Sequence, residues 1–259
     1  MKGPYAVTAP GGKLNLMVMD ASDGVPAAFA LMGTLAERKV ALRLGGGCKG
    51  MDTNDKAAML AYFRDALRGF NGLIWSGGTR QVDGNDQVNP MVTDVPGVIA
   101  AENPGAVALG TVPRVEMLTL QQDSRLVLDQ WGTVPNPTMS GILVVQNGPD
   151  GELDWDGDVD TYIAMMESWR TYANFTALGL VAWNGGAVTE QEIIKAASKG
   201  WPVILIKGSG RVTDEIATKL AADDPALIAK LPQEFKIIVA DIADPNTLRV
   251  ALTEHGFLG

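Results

Sequence analysis

Short apolar runs recur along the chain, and most are followed by a glycine or a polar loop. Each run has four to six residues, and several are rich in Val and Ile. Runs of this kind are typical of strands buried on both faces, as in parallel sheets. The predicted strands are 14–19, 40–44, 73–76, 106–109, 142–145, 178–183, 203–206 and 237–240.

Amphipathic segments between the runs predict helices. One begins after Asp52 and Thr53, and Gly69 and Gly72 end the segment. Its apolar positions recur at helical spacing and would form one buried face. These positions are Leu60, Phe63, Leu67 and Phe70.

Two further helices have recognisable ends. The stretch 189–199 opens with Thr189 and Glu192 in the spacing of a capping box, and Gly200 stops it. The last helix begins at Asp244 as N-cap, with Pro245 at its first position.

This alternation of strand, loop and helix predicts the fold class. Right-handed crossovers between parallel strands give an α/β, Rossmann-like, doubly wound and mostly parallel sheet with helices on both faces. We predict a single domain over 1–259. The segment 111–140, which contains Pro113, Pro135 and Pro137, is predicted to be an irregular excursion, either a hairpin or a cap.

Four glycine-rich loops, 45–51, 77–80, 184–189 and 208–211, each follow a predicted strand. Glycine lets the backbone approach a ligand, and the N–H groups of the following helix favour an anion. Ligands of open α/β sheets bind beyond the carboxyl ends of the strands. We therefore predict one site for a phosphate-bearing molecule, formed by Gly45, Gly46, Gly47, Lys49, Gly77, Gly78, Thr79, Arg80, Asn184, Gly185, Gly186, Thr189, Gly208, Ser209, Gly210 and Arg211.

A competing interpretation is that each loop is only a tight turn. Four loops on one edge, three of them with a cation, favour a binding site over four empty turns. No loop has the P-loop pattern or the strict G-x-G-x-x-G spacing, which disfavours ATP hydrolysis and ordinary dinucleotide redox chemistry.

Charge and composition narrow the choice of partner. The formal net charge of −9 disfavours a nucleic-acid polymer, because phosphate backbones need a basic surface. The chain starts without the apolar core of a signal peptide and has no apolar run of the ~20 residues that span a bilayer. We therefore expect a cytoplasmic protein that has no membrane contact.

The sequence gives little indication of a metal site or of a bound cofactor. His255 and Cys48 are the only histidine and cysteine, too few for a zinc site. A thiol nucleophile at Cys48, with its pKa lowered by Lys49, competes with a small residue tolerated in a tight loop. The acidic residues between Asp154 and Asp160 are interpreted as a solvated loop that caps a helix. We expect no metal and no cofactor.

The motifs at 183–192 and 208–214 resemble the SLOG superfamily. They are Trp-Asn-Gly-Gly-Ala-Val-Thr-Glu-Gln-Glu and Gly-Ser-Gly-Arg-Val-Thr-Asp. They look most like the LSDAT branch, the prokaryotic relatives of the cytosolic N-terminal domain of TRP-melastatin channels. The resemblance implies a Rossmann-like fold, adds Asp214 to the site, and implies a nucleotide or NAD-derived ligand such as ADP-ribose or a cyclic relative.

A more distant resemblance is to the cytokinin-activating phosphoribohydrolases. Their motif Pro-Gly-Gly-x-Gly-Thr-x-x-Glu matches at Gly185, Gly186, Thr189 and Glu192, whereas Asn184 and Val188 depart from it.

Two functions follow as hypotheses, with a structural subunit whose loops are empty turns as a third. In the first, the protein binds or senses the ligand, and a separate effector or a homo-oligomer provides the output. In the second, it is a nucleotide N-glycosidase or phosphoribohydrolase, and Glu192 is the catalytic residue that stabilises a ribosyl cation or handles a proton. The competing interpretation of Glu192 is a capping-box side chain.

Overall fold

The structure, a computed structural model, describes residues 2–9, 12–20, 38–82, 88–113, 119–120, 126–127, 133–146 and 155–259. Its strands are β1 (Lys2–Ala9), β2 (Gly12–Asp20), β3 (Val40–Gly47), β4 (Leu73–Gly77), β5 (Thr79–Val82), β6 (Val88–Asn89), β7 (Val107–Pro113), β8 (Thr119–Leu120), β9 (Leu126–Val127), β10 (Thr133–Pro135), β11 (Gly141–Gln146), β12 (Ala177–Asn184), β13 (Pro202–Lys207) and β14 (Lys236–Asp241). Its helices are α1 (Thr53–Ala66), α2 (Val95–Glu102), α3 (Trp155–Ala173), α4 (Ala187–Ser198), α5 (Arg211–Ala221), α6 (Pro225–Ile228) and α7 (Pro245–Glu254).

Nine strands form the main sheet, in the order β1-β2-β11-β7-β4-β3-β12-β13-β14. Neighbouring strands are parallel except for β1, which is antiparallel to β2. Seven of the eight apolar runs lie within strands of this sheet, and the run 106–109 begins one residue before β7. The predicted Rossmann-like α/β class is confirmed.

Helices cover both faces of the sheet, so each face has its own apolar core. On one face, Phe63 of α1, Ile99 of α2 and Leu248 of α7 belong to a buried cluster. On the other face, Trp169 of α3 and Ile193 of α4 belong to a second cluster, to which α5 and α6 also contribute. The sheet is therefore doubly wound.

The direction of winding reverses between β3 and β12. From β3 the sheet extends through β4, β7 and β11, and from β12 it extends the other way through β13 and β14. The loops after β3 and β12 leave the sheet in opposite directions, so a crevice opens between them. In open α/β sheets, ligands usually bind in a crevice of this kind. The four glycine-rich loops follow β3, β4, β12 and β13, four adjacent strands, and so lie at one edge.

Most predicted helix ends agree with the structure, and one does not. Asp52 caps α1 and Asp244 caps α7, with Pro245 in its first turn. The capping box of Thr189 and Glu192 is wrong, because α4 begins at Ala187 with Gly186 as its N-cap. The glycine turn feeds directly into the helix, so Glu192 falls in the second turn, beyond reach of the helix start.

The 111–140 segment follows its prediction only in part, because β8 and β9 within it pair as antiparallel strands, as in a hairpin. Thr111, Val112 and Pro113 complete β7, and β10 pairs with β5 in a small antiparallel sheet that also includes β6. Asp154 lies outside the described residues. The prediction of a solvated acidic loop is wrong for residues 156–160, because α3 already begins at Trp155, and Asp160 pairs with Lys195 at 2.6 Å. Within the part of the chain that the structure describes, no helix is long and apolar enough to cross a membrane.

The β3–β12 junction makes a sharp stability prediction. A Cβ on Gly46, which has φ +148°, would lie 2.1 Å from the carbonyl oxygen of Trp183, whereas one on Gly47 would meet nothing nearer than 3.9 Å. Gly46→Ala should therefore lower the free energy of unfolding by at least about 2 kcal/mol, since overpacking adds to backbone strain. Gly47→Ala, the control, should change it by less than about 1 kcal/mol. Urea unfolding measures both, and equal losses would contradict the close approach.

Candidate functional site

Among the described residues, two clefts open at the loop edge, one on each side of the β3–β12 junction. Cleft A encloses about 510 Å³ and cleft B about 250 Å³. Cleft A is lined by Lys49, Gly50, Met51, Asp55, Ala58, Trp183, Asn184, Gly208, Ser209, Gly210, Arg211 and Ile242. Cleft B is lined by Arg43, Leu44, Gly46, Gly77, Thr79, Met91, Val92, Thr93, Thr111, Tyr162, Val188, Thr189 and Glu192.

The single predicted site is therefore divided between two clefts. Six of the predicted ligand-contacting residues line cleft A: Lys49, Asn184, Gly208, Ser209, Gly210 and Arg211. Four others line cleft B together with Glu192: Gly46, Gly77, Thr79 and Thr189. The remaining seven line neither cleft: Gly45, Gly47, Gly78, Arg80, Gly185, Gly186 and Asp214.

In cleft A, the loops after β12 and β13 are locked to each other through Asn184. Its backbone N–H donates to Ser209 Oγ at 2.8 Å, and its carbonyl accepts from Thr213 Oγ1 at 2.7 Å. Asn184 has φ 54°, in the left-handed region that asparagine tolerates better than most residues. Its side-chain oxygen is buried without a hydrogen-bond partner among the described residues. Such a buried polar group calls for a partner.

Asp214 shapes the second loop. Its carboxylate accepts hydrogen bonds from the backbone N–H groups of Gly208 at 2.6 Å and Gly210 at 3.1 Å. The carboxylate therefore takes up two backbone N–H groups that could otherwise donate to an anion. Glu215 instead pairs with Lys219 along α5 at 2.5 Å.

Arg211 remains available for a ligand. It is exposed, and it makes no ion pair with any described residue, so neither Asp214 nor Glu215 engages it. A Cβ on Gly186 would lie 3.0 Å from Arg211 Nη2, so the guanidinium reaches over the start of α4 from the start of α5. Neither helix has a side-chain cap. The guanidinium of Arg211, the first residue of α5, thus lies beside the start of α4, and a guanidinium next to a helix start is suited to an anion.

Cleft B is organised by a buried ion pair. Glu192 Oε1 accepts from Arg43 Nη2 at 2.7 Å, from Arg43 Nε at 3.1 Å and from the Tyr162 hydroxyl. Both charged side chains are more than nine-tenths buried. The Arg43 guanidinium also lies 4.2 Å from the Tyr162 ring centroid and 5.6 Å from that of Trp75. Glu192 therefore joins α4 to β3 and α3 and is held firmly.

Sequence reasoning missed Arg43, Tyr162 and Thr111. Arg43 was counted within the apolar run 40–44, although a charge in a strand buried on both faces requires a partner. The charged residue inside an apolar run could therefore have identified Arg43 from the sequence. Thr111, which accepts from Trp75 Nε1 at 3.2 Å, and Tyr162 carry no comparable signal.

The predicted residues outside the clefts have packing or structural contacts. Arg80 does not contribute a free cation, because its guanidinium pairs with the buried Asp94 at 2.8 Å. Gly78 packs against Gly110, because a Cβ on Gly110 would lie only 2.5 Å from the Cα of Gly78. Gly185 packs on the Thr189 side chain.

Cys48 does not have the expected environment. Burial raises the pKa of its thiol, and this effect exceeds the opposing influences of the Val92 backbone and of Lys56. The proposed lowering by Lys49 is therefore wrong. Among the large aromatic side chains, Trp169 and Trp201 are buried in the core, and Trp183 is buried beside cleft A.

Comparison with known proteins agrees with this geometry. The fold and its loop edge define a Rossmann-like α/β protein with a crevice at the reversal of strand order. The family model described as "SLOG in TRPM, prokaryote" matches residues 109–248, more than half of the chain. The chain therefore belongs to this family, and the resemblance in its motifs is confirmed. Family membership supports a nucleotide-related ligand, either bound or hydrolysed, without naming one.

The fold also has a counterpart among solved structures. The X-ray structure of TM1055 is similar to this chain with a TM-score of 0.50 and 17% sequence identity, covering 83% of this chain and 99% of that one. At this identity the likeness concerns the fold. No curated protein matches the chain.

The ion pair makes a prediction about stability. Glu192→Gln should lower the free energy of unfolding by about 2 kcal/mol or more, since the buried Arg43 charge loses this carboxylate. Glu190→Gln is the matched control, because the Glu190–Lys230 pair is more exposed and should be worth less than about 1 kcal/mol. The double variant Arg43→Met/Glu192→Gln should lose less than the sum of the single losses. Additive losses in urea unfolding would contradict the coupling.

The thiol makes a prediction about reactivity. Because burial raises its pKa, Cys48 should react with iodoacetamide at neutral pH more slowly than a free cysteine does, and the rate should keep rising above the pH where a free thiol has titrated. Mass spectrometry of the folded protein and of the urea-unfolded chain measures this ratio. Faster labelling of the folded form would restore the thiol as a candidate nucleophile.

Proposed function

We propose that the protein binds a phosphate-bearing, nucleotide-derived small molecule, with its phosphate in cleft A beside Arg211. The observation that carries the proposal is the position of one guanidinium, without an ion pair among the described residues, beside the starts of two helices. Arg211 reaches over Gly186 at the start of α4, and it is itself the first residue of α5.

The composition of cleft A supports an anion with an apolar neighbour. Lys49, exposed and without an ion pair in the described ranges, adds a second cation to the wall. Met51, Ala58 and Ile242 provide apolar surface. Cations beside apolar surface suit a ligand that carries phosphate on a less polar body.

Membership of the family supports a nucleotide-related ligand, and we expect an NAD-derived or ADP-ribose-like molecule. In the proposed role the protein is a sensor, and its output comes from oligomerisation or from a separate effector protein. A cytoplasmic location stays a prediction.

Backbone conformation strengthens the case for Arg211. Its φ of 49° lies in the left-handed region, which costs a side-chain-bearing residue roughly 1–2 kcal/mol relative to glycine. Strained conformations cluster at functional sites, where a side chain is needed despite the cost. A structural turn at this position would be better served by glycine.

The second candidate is hydrolysis of the ligand, with Glu192 as the catalytic residue. It is favoured by the position of the Glu192 carboxylate on the wall of cleft B, next to the start of α4. The test is incubation with nucleoside monophosphates and with NAD-type compounds, followed by chromatography for a free base. Release of base that Glu192→Gln abolishes would favour the enzyme, and an unchanged compound that still binds would favour the sensor.

The proposal predicts the behaviour of three Arg211 variants. In calorimetric titrations with AMP and ADP-ribose, Arg211→Ala should weaken binding by at least about 1.5 kcal/mol, the low end for a hydrogen bond to a charged group. Arg211→Lys should restore part of this, because an ammonium cannot form the planar fork. Arg211→Gly should bind as poorly as the alanine variant and yet melt no lower than the wild type, because glycine accepts the positive φ.

The control is Arg68→Ala, since Arg68 is an exposed arginine paired with Asp65 away from both clefts. It should bind as the wild type does. Equal affinity of the wild type and all Arg211 variants would remove Arg211 from the site. Failure of the wild type to bind any compound of the panel would overturn the proposed function itself.

A further inference from the structure

Two buried polar atoms in residues that line cleft A have no hydrogen-bond partner among the described residues. They are the indole Nε1 of Trp183 and the side-chain Oδ1 of Asn184, consecutive residues at the end of β12. The two residues are only 2% and 3% exposed. A buried polar atom without a partner is costly, so one donor and one acceptor at this place call for a ligand with the complementary pair of groups.

The contacts of Asn184 fix the position of its side chain. Its backbone N–H and carbonyl bind the hydroxyl groups of Ser209 and Thr213, so the residue is anchored on both sides. A Cβ on Gly210 would lie 3.6 Å from Asn184 Nδ2, so the amide nitrogen is turned toward the loop after β13. Oδ1 is on the opposite side of the amide and is therefore a fixed acceptor.

The indole of Trp183 is held by packing and not by its N–H group. Its ring centroid lies 5.5 Å from that of Tyr62 and 5.3 Å from that of Phe63, both on α1. Ala58, four residues before Tyr62 and thus on the same side of α1, lines cleft A. The indole therefore lies between β12 and the part of α1 that borders the cleft, and it is a rigid donor.

The rest of cleft A suits a flat and mostly apolar body. Met51, Ala58 and Ile242 provide apolar surface on its wall. Its volume of about 510 Å³ lies within the range of small-molecule sites, roughly 300–1,000 Å³, whereas the 250 Å³ of cleft B lies below that range. A nucleobase is a body of this kind, and its polar atoms are confined to its edge.

Among the nucleobases, one donor and one acceptor on the protein select adenine. Along one edge adenine has an acceptor, N7, beside a donor, its 6-amino group. The same edge of guanine has two acceptors, and each pyrimidine has a single polar group there. An indole N–H can only donate, so it matches N7, and Oδ1 of an amide can only accept, so it matches the amino group.

We propose that cleft A binds the adenine of the ligand, with Trp183 Nε1 donating to N7 and Asn184 Oδ1 accepting from the 6-amino group. This inference rests on the proposed function, because Arg211 on the same cleft is taken to hold the phosphate of the same nucleotide. It makes Trp183 and Asn184 specificity-determining residues.

The test compares four probes by calorimetry on the purified full chain: AMP, purine riboside 5′-monophosphate, IMP and ribose 5-phosphate. AMP should bind at least about tenfold more tightly than the purine compound, which lacks the amino group and leaves Oδ1 buried without a donor. IMP should bind more weakly still, because its 6-carbonyl would place an acceptor against Oδ1. Ribose 5-phosphate measures the phosphate site alone.

Asn184→Gly removes the acceptor and keeps the backbone of the loop. Glycine accepts the φ of 54° at this position, and the backbone bonds to Ser209 and Thr213 do not need the side chain. The variant should reduce the preference for AMP over the purine compound to less than about twofold. Its affinity for ribose 5-phosphate should equal that of the wild type.

Trp183→Phe removes the donor and keeps an aromatic ring against Tyr62 and Phe63. It should weaken AMP and the purine compound alike, each by at least about fivefold, because both carry N7, and it should leave ribose 5-phosphate unchanged. Trp201→Phe is the matched control, since Trp201 is fully buried and lines neither cleft. This control should bind all four probes as the wild type does.

The outcomes separate this inference from the proposed function. Equal affinities of the wild type for AMP, the purine compound and IMP would overturn the adenine assignment and leave the phosphate site standing. A preference for AMP that persists in Asn184→Gly, or unchanged binding of AMP by Trp183→Phe, would also overturn it. Failure of every probe to bind would overturn the phosphate site and the adenine assignment together.

Discussion

The structure depends on the pairing of β3 with β12, where the sheet changes its direction of winding. The two strands pair over their whole length, and Gly46 lies opposite Trp183 at the end that carries the loops. Only glycine allows this approach, because any Cβ at position 46 would collide with the Trp183 carbonyl. If the two strands separated at this end, both clefts would lose the wall that they share. The glycines of the first loop are thus needed for strand contact before any ligand is considered.

The family motifs contain residues of two kinds, which the structure separates. Ser209, Thr213 and Asp214 hold the loops in shape by hydrogen bonds to the backbone. Arg211 differs from them, because its guanidinium forms no ion pair with any described residue. Glu192 forms a buried ion pair with Arg43, which joins α4 to β3. A polar motif residue is therefore a binding candidate only after its local partners have been counted.

The fold could be predicted from the sequence because its signals are local. Runs such as 203–206 are too short and too apolar to be surface helices, and Asp244 with Pro245 marks a helix start by its own chemistry. The loop edge followed from the order of strands and helices, since parallel strands bring their carboxyl ends together. The antiparallel strand β1 and the small sheet of β5, β6 and β10 were missed, since their short or mixed segments lack a clear period.

The division into two clefts could not be predicted, because it depends on side chains that are distant in sequence. Arg43 and Glu192 are 149 positions apart and meet only because β3 and β12 are neighbours, which places α4 over β3. The spacing of Thr189 and Glu192 suggested a helix cap, and the same spacing is also that of two side chains on one helical face. Only the helix start at Ala187 decides between these two interpretations. With the start there, Glu192 is directed across the sheet to Arg43, and the motif's glutamate faces a cleft because the glycine turn before it is so short.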